Sequence, residues 1–361
     1  MKILMILEYF KPHLGGVETL FDHLAQELST AGHQVTILTS NHTGDLPSIE
    51  VMDRITIHRV NVNSRYLFTW KAFFPAYQLS KEVDIIQTTS YNAALPAFLA
   101  ALINRKKSVI TFHEVWGKLW FSLPFSNKIS ALFHAFFEKI LLLLPFNLFV
   151  AVSNATKKRL LENGVSGNRI KVIYNGLSYR HREVSETNNK VYTYFGRLGM
   201  SKGLDLLLPA SIPFLKENPD FKLRLITPQE PIHIYQYLQK IIQKNSLEKQ
   251  IEWKHEVPDQ ELENLLLTSK WVVIPSYSEG FCFAAAESAA LGIPILASDK
   301  GSLPEVVSGF HIFFKPHSIL SLTHNLKKAR DQKWEFKPLI KFELNHTVQS
   351  YIEIYQKILQ D

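Results

Sequence analysis

Cysteine is almost absent from this 361-residue chain, which holds only Cys282. One thiol excludes an intrachain disulfide framework and fits a reducing compartment. Long apolar runs are missing as well. The most lipid-like stretch, 140–152, is broken by Pro145 and Asn147 and falls short of the roughly 18–20 residues a spanning helix needs. No transmembrane helix is therefore expected. The opening Met1-Lys2-Ile3-Leu4-Met5-Ile6-Leu7 is stopped by Glu8, too soon for the apolar core of a secretory leader, and reads as a first strand. The fingerprint G-x-G-x-x-G is absent, which leaves a nicotinamide enzyme with little support. There is no low-complexity segment, no short repeat and no recognised nucleic-acid motif, so basicity alone does not point to a nucleic-acid partner.

What is present is an ordinary globular composition, 46% hydrophobic and 20% charged. The length suits two domains of about 150–200 residues each. The net charge of +7 is unevenly placed. Residues 1–180 hold 19 Lys and Arg against 12 Asp and Glu, whereas 181–361 hold 21 of each. The whole excess lies in the first half, so that half carries a positive field and the other does not.

The first 45 residues form one βαβ unit: a strand over 2–7, a turn through Gly15-Gly16, and a helix with Val17, Leu20, Phe21, Leu24 and Leu28 on one face. Gly32 closes that helix and a strand over 35–40 follows. Further strands are expected at 55–60, 84–88, 108–112, 148–152 and 170–174, separated by helical patterns. The polar segment 178–190 reads as a linker. A second α/β series places strands at 191–195, 222–227, 251–254, 271–275, 293–297 and 310–314, and the tail 345–360 is amphipathic. The expectation is two Rossmann-like α/β domains facing an interdomain cleft: 1–178, a linker at 179–190, 191–344, and a C-terminal helix over 345–361.

Three stretches carry chemistry. Glu279-Gly280-Phe281-Cys282-Phe283-Ala284-Ala285-Ala286-Glu287 sets two carboxylates eight positions apart, after an apolar strand and around a glycine turn that opens a helix. Such a helix N-terminus suits phosphate, and flanking carboxylates can accept hydrogen bonds from sugar or ribose hydroxyls. Glu279 is expected in the loop and Glu287 about two turns inside the helix. Gly196-Arg197-Leu198-Gly199-Met200-Ser201-Lys202-Gly203 follows the first strand of the second half, where a ligand crevice is expected. Arg197 offers a planar fork and Lys202 a flexible point charge, a suitable pair for a diphosphate. In the first half, Gly15-Gly16 lets backbone approach a ligand closely, and His113 ends a buried strand, where a structural role is the commoner one.

These motifs resemble glycosyltransferase family 4, the retaining enzymes of the GT-B fold, and the resemblance covers nearly the whole chain. It rests on Glu279 and Glu287, on Gly301-Ser302-Leu303-Pro304-Glu305, on Gly196-Arg197-Leu198 with Lys202-Gly203, on Gly15-Gly16 followed by Glu18, and on Asn175-Gly176. It implies a hexosyltransferase-type enzyme with a UDP- or GDP-sugar as donor substrate and no cofactor. The donor would lie against Gly15, Gly16, Gly196, Arg197, Lys202, Glu279, Gly280, Phe281, Cys282 and Glu287. Arg197 and Lys202 would stabilise the departing diphosphate, Glu279 would hold the sugar and Glu287 the ribose. His113 would act beside the transferred sugar by hydrogen bonding, with Glu18, Glu114 and Trp116 on the acceptor side. The last helix would cross back onto the first domain. No Asp-x-Asp is present, so a metal-independent reaction is expected.

The family pattern is broken in places. Cys282 and Ser302 stand where glycine is usual, and Thr227-Pro228-Gln229 replaces a glycine-rich turn on the nucleotide side, which leaves the base open. Two aromatic stretches stand out. Tyr66, Leu67, Trp70, Phe73, Phe74 and Tyr77 recur at helical spacing and are read as core. Trp116, Leu119, Trp120, Phe121 and Phe125, interleaved with lysines, are read as a membrane-facing loop. Together with the basic half, these point to a lipid-linked or saccharide acceptor at an anionic membrane surface, in cell-surface glycan synthesis. The protein would be cytoplasmic and peripheral on the inner face of the plasma membrane. The alternatives are a GT-B nucleotide-sugar epimerase and a catalytically silent partner protein that binds nucleotide sugar.

Overall fold

The computed structural model describes residues 1–13, 15–62, 64–125, 127–177 and 189–360. The expected linker at 179–190 lies outside the described residues except for its last two. The chain divides into two compact units. The first comprises Met1–Gly117, Leu132–Gly176 and Phe342–Asp361, and the second Lys118–Ala131 and Leu177–Lys341. Sequence pattern assigns 118–131 to the first half. The structure groups them with the second, where the Phe125 ring meets His233 and Tyr237 edge-on, at 6.3 and 5.1 Å between centroids.

Among the described residues, the first unit holds an eight-stranded sheet of β1 (Lys2–Ile6), β2 (Gln34–Asn41), β3 (Ile49–Met52), β4 (Ile55–Asn61), β5 (Ile85–Thr89), β6 (Lys107–Phe112), β7 (Leu148–Ala151) and β8 (Ile170–Val172). Their spatial order is β3-β4-β2-β1-β5-β6-β7-β8. All neighbours are parallel except β3, which runs antiparallel to β4. Ile3, Leu4, Met5 and Ile6 of β1 are wholly buried, as a strand covered by helices on both faces requires. The chain builds outward from β1 through β2, then returns to β5 on its other side. The switch point of this sheet is therefore between β1 and β5, where a ligand crevice forms beyond the strand ends.

The second unit repeats the plan with seven strands: β9 (Val191–Phe195), β10 (Lys222–Ile226), β11 (Ile251–Lys254), β12 (Trp271–Ile274), β13 (Ile295–Ser298), β14 (Gly309–Phe314) and β15 (Glu335–Lys337). The order is β11-β10-β9-β12-β13-β14-β15, with only β15 antiparallel. Its switch point falls between β9 and β12. Beneath it Tyr192 and Trp271 stack 5.3 Å apart, with Phe214 and Phe221 against them.

Both strands that the sequence pattern misses, β3 and β15, are antiparallel edges. Val51 and Phe336 are largely exposed there, so no apolar alternation marks them. The C-terminal helix Leu344–Gln360 belongs to the first unit. Tyr351 shares a 2.9 Å hydrogen bond with the Thr111 hydroxyl, and the Tyr355 hydroxyl donates to Gln87 Oε1 at 2.9 Å. Gly176 permits this docking: a Cβ there would stand 2.4 Å from the Leu344 Cα.

Candidate functional site

In the second unit, the loops that leave β9 and β12 meet at the switch point. Lys202 Nζ lies 2.8 and 2.9 Å from the two carboxylate oxygens of Glu279. Ser276 donates to Glu279 Oε1 at 2.6 Å, and Ser298 donates in turn to the Ser276 carbonyl at 2.5 Å. The backbone is equally fixed. The Ser302 amide donates to the Glu279 carbonyl at 3.0 Å, and the Tyr277 amide to the Ser201 carbonyl at 2.7 Å. Two glycines make this approach possible. A Cβ on Gly203, at φ +71°, would overlap the Pro275 carbonyl, and one on Gly301, at φ +59°, would stand 2.4 Å from the Glu279 carbonyl. Glu279 is buried, while Arg197 is exposed and, among the described residues, has no ion-pair partner. One cation is thus locked to a carboxylate and a second is open to solvent.

Gly280 and Phe281 are buried beside Glu279, and Gly196 is exposed next to Arg197. The helix begins later than the sequence pattern predicts. Its span is Phe283–Ala290 with Cys282 as N-cap, so Glu287 sits little more than one turn inside, half-buried. Cys282 adopts φ +71°, a left-handed conformation that glycine would take without strain. Its thiol is buried and its pKa pushed well up, by desolvation first and by Glu279 second, which disfavours the thiolate.

In the first unit, Gly15 is the N-cap of the helix Gly16–Thr30. A Cβ on Gly15 would overlap Glu18 Oε2, so this glycine makes room for the Glu18 carboxylate. Glu18 Oε1 lies 3.2 Å from His13 Nδ1. His113, just past β6, meets Phe21 edge-on at 6.2 Å, and its Nε2 is buried with no hydrogen-bond partner among the described residues. Burial lowers its pKa to about 4, with Glu18 opposing, so the ring is neutral at pH 7. Glu114 and Trp116 are half-buried. The loop that carries them is pinned by Glu138, which accepts from the amides of Trp116 at 2.9 Å and Gly117 at 2.7 Å and from the Tyr91 hydroxyl at 3.2 Å.

Several groups escape sequence reasoning. Glu8, at the end of β1, is buried and paired with Arg65 Nε at 2.9 Å, and Asn92 Nδ2 donates to it at 2.8 Å. A charged residue directly after an apolar strand at a switch point is the available signal. Tyr9 stacks on His13 at 4.4 Å, and His42 meets both edge-on. In the second unit, Trp253 donates to the Thr227 hydroxyl at 2.8 Å and Tyr235 lies 4.6 Å from Trp253, which places an aromatic wall where the glycine-rich turn is replaced. Among the described residues no group of three or more His, Cys, Asp or Glu side chains is placed to hold a metal ion.

Both readings of the aromatic stretches need correction. In the helix Arg65–Lys71 and its continuation Phe73–Leu79, the buried face runs through Phe68, Ala72 and Ala76. Tyr66, Leu67, Trp70 and Phe74 lie off that face and are exposed. In the 116–125 stretch, Trp120 is buried and Trp116 half-buried, which leaves Phe121 and, to a lesser degree, Phe125 as the exposed rings. The same apolar period fits either face of a short helix, and the small alanines decide which one packs.

Known proteins match along the chain. The family model described as Glycosyltransferase Family 4 matches residues 14–179, and that described as Glycosyl transferases group 1 matches residues 178–339. Among curated relatives, an uncharacterized glycosyltransferase of Methanocaldococcus jannaschii is 25% identical over 337 residues, covering 85% of this chain and 83% of that protein. The phosphatidylinositol N-acetylglucosaminyltransferase GPI3 subunit of Saccharomyces cerevisiae is 23% identical over 350 residues, covering 91% and 74%. Among solved structures, sucrose-phosphate synthase from Thermosynechococcus elongatus superposes with a TM-score of 0.81 at 18% identity, over 99% of each chain. Anabaena HepE in complex with UDP and glucose gives 0.76 at 19% identity, over 99% of this chain and 100% of that one.

Proposed function

Because this chain belongs to glycosyltransferase family 4 and has the GT-B fold, we propose that it moves a hexosyl or N-acetylhexosaminyl group, with retention, from a nucleoside-diphosphate sugar to a lipid-linked or saccharide acceptor. The observation that carries the reading is the Lys202–Glu279 pair at the β9/β12 switch point, with Arg197 open beside it. Arg197 and Lys202 hold the diphosphate and take up the charge that grows on it as the glycosidic bond breaks. Glu279 accepts hydrogen bonds from the sugar and Glu287 from the ribose. The acceptor hydroxyl attacks the anomeric carbon on the face the diphosphate leaves, and its proton passes to a leaving phosphate oxygen. His113, neutral at pH 7, positions the sugar by hydrogen bonding and carries no charge into the step.

The two cations make metal-independent transfer the expected behaviour. A lipid-linked acceptor is supported by the +7 excess confined to residues 1–180 and by a relative named for phosphatidylinositol. On this reading the protein works peripherally on the inner face of the plasma membrane, in cell-surface glycan synthesis; no helix of the described residues is long and apolar enough to cross a membrane. The test is thermal stabilisation by a panel of UDP-, GDP- and ADP-sugars in EDTA, followed by transfer of the labelled sugar to total lipid extract. Stabilisation by one nucleotide and label in the organic phase are expected. No stabilisation by any of them would sink the donor reading, and label transferred only to water-soluble saccharides would fix the acceptor as a free glycan.

A further inference from the structure

The helix Lys128–Leu143 is apolar on two sides. Ala131, Leu141 and Leu142 face inward and are buried. Leu132, Phe133, Phe136, Ile140 and Leu143 recur at spacings of one, three or four along another side and stand open to solvent, with Phe136 65% and Leu143 68% exposed. A helix apolar on most of its surface is normally enclosed by protein or lipid. Beside it, Tyr66, Leu67, Trp70 (71% exposed) and Phe74 (65%) occupy the open side of 65–79. The two groups adjoin, because the Tyr66 hydroxyl lies 3.1 Å from His134 Nε2 and the Phe133 ring meets His134 edge-on. All of these exposed side chains belong to the first unit. An apolar surface of this extent on a folded chain marks a contact site.

The charge around it says what it contacts. On Arg65–Lys71, Phe73–Leu79 and Lys128–Leu143 the ionisable acids and strong bases are Arg65, Lys71, Lys128, Lys139 and one carboxylate, Glu138. Glu138 is buried and committed to the amides of Trp116 and Gly117. Lys71, Lys128 and Lys139 are exposed, so these helices offer solvent only positive charge. A second copy of this chain on the same face would bring like charges together. Anionic headgroups over acyl chains match both features, and Trp and Tyr flanked by Lys suit the boundary between them.

We propose that the open face of residues 66–74 and 132–143 is the surface by which this protein lies on an anionic bilayer. The inference rests on the membrane-side acceptor reading for its purpose and supplies the seat, displacing the 116–125 loop as the inserting element. It is tested by cosedimentation with vesicles of phosphatidylcholine alone or with added phosphatidylglycerol. Two double variants are compared, Trp70→Ser with Phe74→Ser and Phe133→Ser with Phe136→Ser, together with Phe121→Ser. Every changed side chain is exposed in the native fold, and thermal stabilisation by the nucleoside diphosphate is measured alongside to show that the donor unit is intact. The wild type should bind anionic vesicles, weaken as salt rises, and lose about tenfold or more in partitioning in each double variant, while Phe121→Ser stays within about twofold. Vesicle binding undiminished in both double variants overturns the inference. So does a wild type that binds nucleotide but no vesicle, which leaves the donor reading standing, and so does a concentration-dependent dimer that both double variants abolish without vesicle binding.

Discussion

The two units differ in the charge and apolar surface they leave to solvent. In the second, Lys202, Glu279 and Ser276 compensate one another at 2.6–2.9 Å, on loops that glycine backbones bring into contact. In the first, Glu8 is locked to Arg65 and Asn92 in the same manner, but the central histidine sits neutral beside Phe21, and several cations and aromatic rings are turned to solvent. A unit that holds a diphosphate needs fixed charge at a fixed place, because a small anion presents the same geometry each time. A unit that lies on a lipid surface, as proposed for the first, needs breadth. Preorganisation marks one and exposed area the other.

The largest effects that test this contrast lie in the second unit. Arg197→Ala, Lys202→Ala and Glu279→Ala are each expected to lower transfer by about a hundredfold or more, some 3 kcal/mol of transition-state stabilisation, with the fold retained. Steady-state rates beside circular dichroism check this. Near-normal rates in the Lys202 and Glu279 variants together would dissolve the distinction between the units.

A comparable effect of another kind belongs to His113. Its folded pKa of about 4 lies below the ordinary value of 6.5, so the unfolded chain takes up the proton first. Stability is whole above pH 6.5 and falls as pH drops toward 4, by about 3 kcal/mol from this group. Denaturant titrations of wild type and His113→Gln across that range should differ in slope, with the variant flatter. Parallel curves would mean the ring is not sheltered.

Legibility follows the same division. The second-unit residues are readable because glycines, cations and carboxylates fall within short sequence windows, 196–203 and 279–287. Glu8, Arg65 and Asn92 are far apart in sequence and meet only through the β1/β5 switch point, so no window contains them. The open face of 66–74 reads as core because its period is genuinely helical. What the pattern omits is that Phe68, Ala72 and Ala76 form an equally good inner face with a flatter surface. The edges β3 and β15 are illegible because an exposed antiparallel edge needs no apolar alternation.

Smaller effects sharpen the picture. Glu138→Ala removes the acceptor for two backbone amides beneath Trp116 and Gly117, and should cost about 2 kcal/mol of stability, read as a fall in Tm. Glu138→Gln keeps part of this acceptance and should recover part of the loss. Smallest is Cys282→Gly. Relief of the left-handed conformation at φ +71° offsets the lost packing of a buried thiol, so the net change should stay within about 1 kcal/mol with transfer unimpaired. A large loss of activity would give Cys282 a part in the reaction that its buried, protonated thiol argues against.

The central claim is that the second unit grips a nucleoside diphosphate through its own cations. Calorimetric titration of UDP and GDP into the full-length protein in EDTA tests it most directly, with the wild type set beside Arg197→Ala and Lys202→Ala. Saturable binding of one nucleotide without added metal, weakened at least tenfold in each variant, is the predicted result. Binding that appears only when Mg²⁺ or Mn²⁺ is restored, or that is equal in all three proteins, would contradict it.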